Sequence, residues 1–261
     1  MKLKSILGAV LAGALALGST LAYAQAGPIY LTPKLLYSRQ NIDSFDSQVS
    51  SFRGVPSAGI IGSHYTGGDG SDNIFGAGVA IGYDFGAVGY TPIRAELEFL
   101  ARGAAKTDFG VRTSGSYLGH PMGTSHSLET KVYTLFANVY YDFVNDSEFT
   151  PYIGGGLGGA YAETTAKLDL HVSDWVYPAD GTQDEWNFAW NLGAGVAYQI
   201  SDTMAFDLGY RYSDFGALEI GSRKHHFYTN PVTQEVTNLR FKTKADLSAH
   251  EVILGLRISG Y

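Results

Sequence analysis

No cysteine occurs among the 261 residues. A disulfide framework, a thiolate metal site and a cysteine nucleophile are therefore excluded. Charge is scarce too: 16% of the residues are Asp, Glu, Lys or Arg, against about 25% in ordinary soluble domains. The formal net charge of −7 argues against a nucleic-acid partner, because such domains are basic. Beyond the first segment there is no run of about 18 apolar residues, so no later stretch can cross a bilayer as a helix. Disorder is excluded as well, since 45% of the residues are hydrophobic and disordered chains are poor in them. What is abundant is glycine (33), tyrosine (18) and phenylalanine (14). That balance suits a glycine- and aromatic-rich β protein.

The N-terminus reads as an export signal. Lys2 and Lys4 precede an apolar stretch from Ile6 to Leu17, and Ala22-Tyr23-Ala24 supplies a small-x-small cleavage site. This is the layout of a secretory signal peptide, with an apolar run too short for a membrane anchor. We expect residues 1–24 to be cleaved, leaving 25–261 as one domain.

The rest of the chain alternates with period two. In Asn73 to Phe85, Phe75, Ala77, Val79, Ile81, Tyr83 and Phe85 share one face, and Gly76, Gly78, Ala80, Gly82 and Asp84 share the other. Glu185 to Ile200 repeats the pattern, with Trp186, Phe188, Trp190, Leu192, Ala194, Val196, Tyr198 and Ile200 on one side. Successive side chains of a strand point to opposite faces, so each segment has one apolar and one small or polar face. Ile29–Ser38, Ile93–Arg102, Lys131–Phe143, Pro151–Ala162, Met204–Tyr212 and Ser248–Tyr261 fit the same rule. Eight strands result, several long enough to cross a bilayer at a tilt, which takes about 9–11 residues.

Connector lengths choose the architecture. Gly86–Pro92, Val144–Thr150 and Ser201–Thr203 are short, whereas Gln40–Asp72, Gly103–Thr130, Glu163–Asp184 and Ser213–Leu247 are long. Bacterial outer-membrane barrels have short periplasmic turns, long external loops and an even strand number. The expected fold is all-β: an eight-stranded antiparallel up-and-down transmembrane β-barrel with long extracellular loops and short periplasmic turns. In that orientation Tyr83, Phe85, Tyr141, Phe143 and Tyr198 fall at periplasmic strand ends. Trp186, Tyr161, Tyr210 and Tyr212 fall at outer ends, which matches two interfacial girdles.

The stretch Tyr133-Thr134-Leu135-Phe136-Ala137-Asn138-Val139-Tyr140-Tyr141-Asp142-Phe143, followed by Thr150-Pro151-Tyr152-Ile153-Gly154-Gly155-Gly156, resembles the central hairpin of opacity-protein and OmpA-type small outer-membrane barrels. The resemblance implies a mostly eight-stranded fold and a structural, surface-interaction role of the adhesin or antigen kind. It also implies insertion by the barrel-assembly machinery, which reads a terminal outward aromatic. Tyr261 is aromatic but out of phase with Ile258.

The charges on the inner faces are the informative chemistry. Asp84, Arg94, Glu96, Glu98, Asp142, Asp207, Arg211, Glu251 and Arg257 all fall opposite the lipid-facing residues. An eight-stranded barrel has a lumen that side chains can fill, and buried charges must be paired. We expect Arg94, Arg211 and Arg257 to bridge the carboxylates. The network either fills and fixes the barrel or lines a narrow porin-like path. With six carboxylates to three arginines in this set, such a path would prefer cations.

Other motifs carry less. Gly154, Gly156 and Gly159 match a GxGxxG spacing, but inside a strand they read as small lumen residues making room for neighbours. A lipid hydrolase is a third reading. His126-Ser127 with Glu129, or Ser248 and His250 with Glu251, offer the residue types, yet adjacent strand residues face opposite ways. Gly67-Gly68-Asp69-Gly70-Ser71-Asp72 lacks the ordered ligand series of a calcium loop, and no metal or cofactor set is read. Arg223, Lys224, Arg240, Lys242 and Lys244 crowd the last long connector and suit contact with lipopolysaccharide phosphates. The partners expected are outer-membrane lipid, lipopolysaccharide and an extracellular ligand held by the loops.

Overall fold

The computed structural model describes residues 28–52, 63–66, 68–117, 120–172, 175–221, 225–229 and 236–260. The signal-like segment 1–24 and Tyr261 lie outside the described residues. Strands run over β1 (Ile29–Phe52), β2 (Ser63–Thr66), β3 (Gly70–Asp84), β4 (Ile93–Arg102), β5 (Ala105–Tyr117) and β6 (His120–Asp142). They continue as β7 (Phe149–Val172), β8 (Trp175–Ser201), β9 (Met204–Gly221), β10 (His225–Thr229) and β11 (Val236–Ser259).

Every pairing is antiparallel, and β11 pairs with β1 to close the sheet into a ring. β2 prolongs β3 along the same edge of β1, β5 prolongs β4 along β6, and β10 prolongs β9 along β11. The eleven segments are therefore eight ring strands, three of them interrupted. Closure leaves no free edge at membrane depth, where an unpaired backbone group would cost several kcal/mol.

Among the described residues, the four long connectors are largely strand. Pairing runs into each of them from both sides: the β7–β8 ladder extends from Phe149↔Tyr198 to Val172↔Trp175. Two irregularities hide two of these extensions from a simple alternation. The register of β1 against β11 shifts between Asp43 and Asp46, where Ser44 adopts a φ of 55°. In β9, Gly216 has a φ of 77°, and the register against β11 shifts between Asp246 and Ser248. Each extra residue moves the following side chains to the other face. Glycine is needed at 216, because a side chain there would strain the left-handed backbone.

The two faces invert the soluble pattern. Ile81, Leu97, Val139, Leu157, Leu192 and Leu254 are exposed on the outside, while Tyr30, Lys34, Arg94, Glu98, Arg102 and Glu251 are buried inside. At the periplasmic ends Tyr83 packs on Phe85 and Phe149 on Tyr198, each at 4.8 Å between ring centroids. At the outer ends Tyr161 packs on Trp186 at 5.2 Å and Trp190 on Tyr212 at 5.6 Å.

Above the membrane the ring divides. Pairing between β8 and β9 stops at Trp190↔Asp214, and between β3 and β4 at Gly76↔Arg102. One sheet then consists of β2/β3, β1, β11 and β9/β10, and the other of β5, β6, β7 and β8. Ile42, Phe45, Leu218 and Leu247 of the first face Phe109, Leu128 and Val132 of the second in one buried apolar core. Phe45 and Phe109 stack at 4.1 Å. Burying each such side chain is worth about 1.5–3 kcal/mol. Side chains bridge the seams: Asn187 Nδ2 donates to the Ala217 carbonyl at 2.8 Å, and the Glu219 amide donates to Glu185 at 2.9 Å. The Lys106 amide donates to Asp72 at 2.8 Å.

Candidate functional site

The lumen at membrane depth holds a chain of ion pairs from Asp142 to Arg102 and, below it, a separate pair. Near the periplasm Arg257 reaches Asp207 at 3.2 Å. Arg94 grips Asp142 with two bonds of 2.7 and 2.8 Å and lies 3.9 Å from Glu96. Its guanidinium lies against the rings of Tyr140 and Tyr152, 5.0 and 5.1 Å from their centroids, and the two rings meet edge to face at 5.6 Å. Lys34 donates to Glu96 at 2.6 Å and to Glu98 at 2.7 Å, and the Tyr30 hydroxyl also donates to Glu96. Arg211 bridges Glu98 at 2.6 Å and Glu251 at 2.9 Å. Glu251 further accepts bonds from Arg102 at 2.7 and 3.2 Å and from the Ser213 hydroxyl at 3.0 Å.

Strand parity explains this gathering. Arg94, Glu96, Glu98 and Arg102 alternate along β4, and the closed ring faces them toward β1, β9 and β11 across a narrow lumen. Small residues supply the room. A Cβ on Gly82 would fall 2.2 Å from the Tyr30 ring, and one on Gly154 2.3 Å from the Tyr140 ring. Gly159 does not share this role: it faces outward, beneath the ring of Trp186.

The charge balance differs from the sequence expectation. Asp84 takes no part in the network. Its carboxylate accepts the amides of Gly86 and Ala87 at 2.8 and 3.3 Å and closes the periplasmic turn. Parity placed it inward, but the strand ends there. Lys34 and Arg102 were not singled out from sequence and are central. Both fall on the inward parity of their strands, so alternation carried the signal. Five carboxylates (Glu96, Glu98, Asp142, Asp207, Glu251) thus meet five cations (Lys34, Arg94, Arg102, Arg211, Arg257). The expected cation preference of the lumen has no excess charge behind it among the described residues.

Arg102 marks the upper limit of the charged layer. Its guanidinium lies 4.6 Å from the centroid of Phe215, and Arg211 lies 5.6 Å from that of Phe136. Phe136 and Phe215 are fully buried and begin the apolar core that continues between the two sheets. Within the charged layer a cavity of about 40 Å³ is lined by Lys34, Arg94, Glu96, Tyr140, Tyr152 and Asp207. That is room for a few water molecules, not for a permeating solute.

The hydrolase constellations do not assemble. His126 points into the apolar core, edge-on to Phe45, whereas Glu129 points outward and pairs with Lys106 at 3.6 Å. His250 lies on the outer surface with Nδ1 2.7 Å from the Tyr210 hydroxyl, while Glu251 is inside the lumen. Among the described residues no three His, Asp or Glu side chains gather as a metal shell.

Of the basic residues in the last long connector, Arg223 and Lys224 lie outside the described residues, and Arg240 is placed by its backbone pairing with Ser50. Lys242 and Lys244 share Glu219, Lys242 at 3.4 Å and Lys244 in closer contact. Hydrogen bonds from the two ammonium groups hold Glu219 below the usual carboxylate range, and Glu219 in turn raises Lys244. This part of the patch is less positive than its composition suggests.

The family comparison agrees with this architecture. The model for "Outer membrane protein beta-barrel domain" matches residues 7–256. The outer membrane protein PagN of Salmonella typhimurium is similar, 32% identical over 212 residues that cover 80% of this chain and 82% of PagN. Opacity protein opA58 of Neisseria gonorrhoeae is 29% identical over 212 residues, covering 69% of each chain. Among solved structures, the outer membrane protein OprG from Pseudomonas aeruginosa aligns over 91% of this chain and 99% of its own, with a TM-score of 0.47 at 14% identity.

Proposed function

We propose, for a chain that belongs to the outer membrane protein β-barrel family, that the barrel is a sealed platform for surface attachment. It is a Gram-negative outer-membrane surface protein of the adhesin type. The observation that carries the sealed-platform reading is the filled lumen: paired charges below, an apolar core above. The interior network then fixes the barrel rather than conducting, and recognition falls to the eight-stranded ring's continuation beyond the membrane. Those extensions carry polar outward faces, such as Glu163, Thr165 and Lys167 on β7, on a paired backbone. A rigid hairpin loses less freedom on binding than a loose loop does.

We read the protein as non-enzymatic, because the serine, histidine and carboxylate candidates diverge. Residues 1–24 serve as the export signal in this reading. Outer-membrane lipid and lipopolysaccharide around the apolar band, and the barrel-assembly machinery during insertion, complete its partners. Lys242 and Lys244 contact lipopolysaccharide only in exchange for Glu219.

The test displays the chain on a non-adherent Gram-negative strain and counts attachment to cultured cell monolayers. The intact chain is expected to raise attachment, and a variant with the β7–β8 hairpin cut back to Thr165 and Thr182 to lose it. Equal attachment by both would remove the hairpins from the role. In planar bilayers the refolded protein is expected to be silent. Steady conductance steps would favour the narrow-channel reading instead.

A further inference from the structure

The outward apolar band is not equally tall around the ring. On β11 it runs from Ile258 to Val252 and gives way to His250, a stretch of 7 residues. On β1 it runs from Ile29 to Tyr37 before Arg39, and on β9 from Met204 to Tyr212 before Asp214, 9 residues each. It then lengthens. Phe143 to Tyr133 along β6 spans 11 residues, Phe149 to Tyr161 along β7 spans 13, and Ile200 to Trp186 along β8 spans 15. A tilted strand crosses the hydrocarbon in about 9–11 residues. The short periplasmic turns keep the lower ends of the strands level, so the difference collects at the outer leaflet.

The two sides differ in chemistry as well as height. On the tall side Trp186 is 71% exposed and Phe188 66%. They form an aromatic ridge continuous with the lipid-facing wall of Leu192 and Leu157. It stands beside the seam where β8 and β9 part. On the short side Arg39, Asn41, Asp43, Asp69 and His250 line an outward polar groove of about 680 Å³. Ionised groups there require water or headgroups. Bilayers thicken or thin locally to match the apolar surface of a protein.

We propose that the outer leaflet stands high against β7 and β8 and dips against β11 and β1. Acyl chains then cover Trp186 and Phe188, while Arg39 and His250 lie at headgroup level. The occupant of the ridge is lipid because the ridge is an unbroken continuation of the surface that lipid already covers. The inference goes beyond surface attachment and rests on insertion of the barrel, which the heat-dependent gel mobility of the folded protein checks separately.

Depth-dependent quenching tests it. The chain has three tryptophans, Trp175, Trp186 and Trp190. A W175F/W190F variant leaves Trp186 as sole reporter, and W175F/W186F/W190F carrying His250→Trp reports from the short side. A second short-side variant, Arg39→Trp, serves if the His250 change impairs folding. Each is reconstituted in phosphatidylcholine bilayers with bromine at a shallow acyl position. Trp186 is expected to emit to the blue and lose most of its fluorescence to bromine, unchanged on dilution with lipid. The tryptophan at 250 or 39 is expected to be quenched less. A flat leaflet predicts the reverse order, with Trp186 unquenched and emitting as in water, and would overturn the proposal. Bromine quenching of Trp186 that appears only on dilution with lipid would assign the ridge to a second copy of the chain and overturn it equally.

Discussion

Replacing Arg102 with alanine is expected to lower the unfolding free energy of the inserted barrel by about 3–5 kcal/mol, the cost of leaving one member of a buried pair behind. Arg102 and Glu251 are both fully buried and joined by two hydrogen bonds. Without the guanidinium, Glu251 keeps Arg211 and Ser213, but Arg211 is already shared with Glu98. One carboxylate charge is then left over in a dry layer between Thr134 and Phe215. Lys106→Ala is the control. Its pair with Glu129 is largely exposed, and such pairs contribute about 0–1 kcal/mol. Urea midpoints of the folded barrel, followed by gel mobility, measure both. An unchanged midpoint for Arg102→Ala together with new conductance would make Arg102 a gate and end the sealed-platform reading.

Acid is expected to loosen the extracellular sheets through His126. Burial against Phe45 pushes its pKa from 6.5 down to about 4. The unfolded chain therefore takes up a proton near pH 6.5, and the folded one only near pH 4. Between those values the unfolded state binds more protons, so stability rises with pH across this window and falls as acid is added. The contribution is complete above pH 6.5. A drop to pH 5 is expected to remove about 2 kcal/mol through this one residue, and full protonation about 3 kcal/mol. Hydrogen exchange in β5 and β6 at pH 7.5 and pH 5 reads it directly. His126→Leu should flatten the difference. Equal acid sensitivity in that variant would shift the cause to another group.

Much of the membrane-depth fold was legible because one physical rule governs it. Lipid outside and a narrow lumen inside force strict alternation, as in Phe75 to Phe85 and Trp186 to Ile200. The extracellular extensions obey weaker rules. Ala160, Ala162, Thr164 and Ala166 point inward on β7 and Glu163 and Thr165 outward, so the two faces contrast little. Ser44 and Gly216 then shift the phase, and a period-two pattern read through them dissolves into apparent loop. The interior charges were legible from parity, which also contained Lys34 and Arg102. Lys34 follows Pro33, which interrupts the pattern of its strand, and Arg102 is the last residue of its strand, where alternation alone does not separate lumen from loop. Asp84 shows the converse limit. Parity fixes a face, but whether a side chain at a strand end turns to the lumen or to its own turn depends on which amides are free.

The division of the ring above Trp190 has a consequence for how such a surface diversifies. Strands joined by a hydrogen-bonded ladder must change in step, since an insertion in one displaces its neighbour. Among the described residues the two extracellular sheets share packing and a few side-chain bridges, not a ladder. Each can therefore accept insertions, deletions or exchanged segments without imposing a new register on the other. Recombination between related genes would find its natural boundaries at these two seams, and the sheets would then drift as separate modules over a shared base.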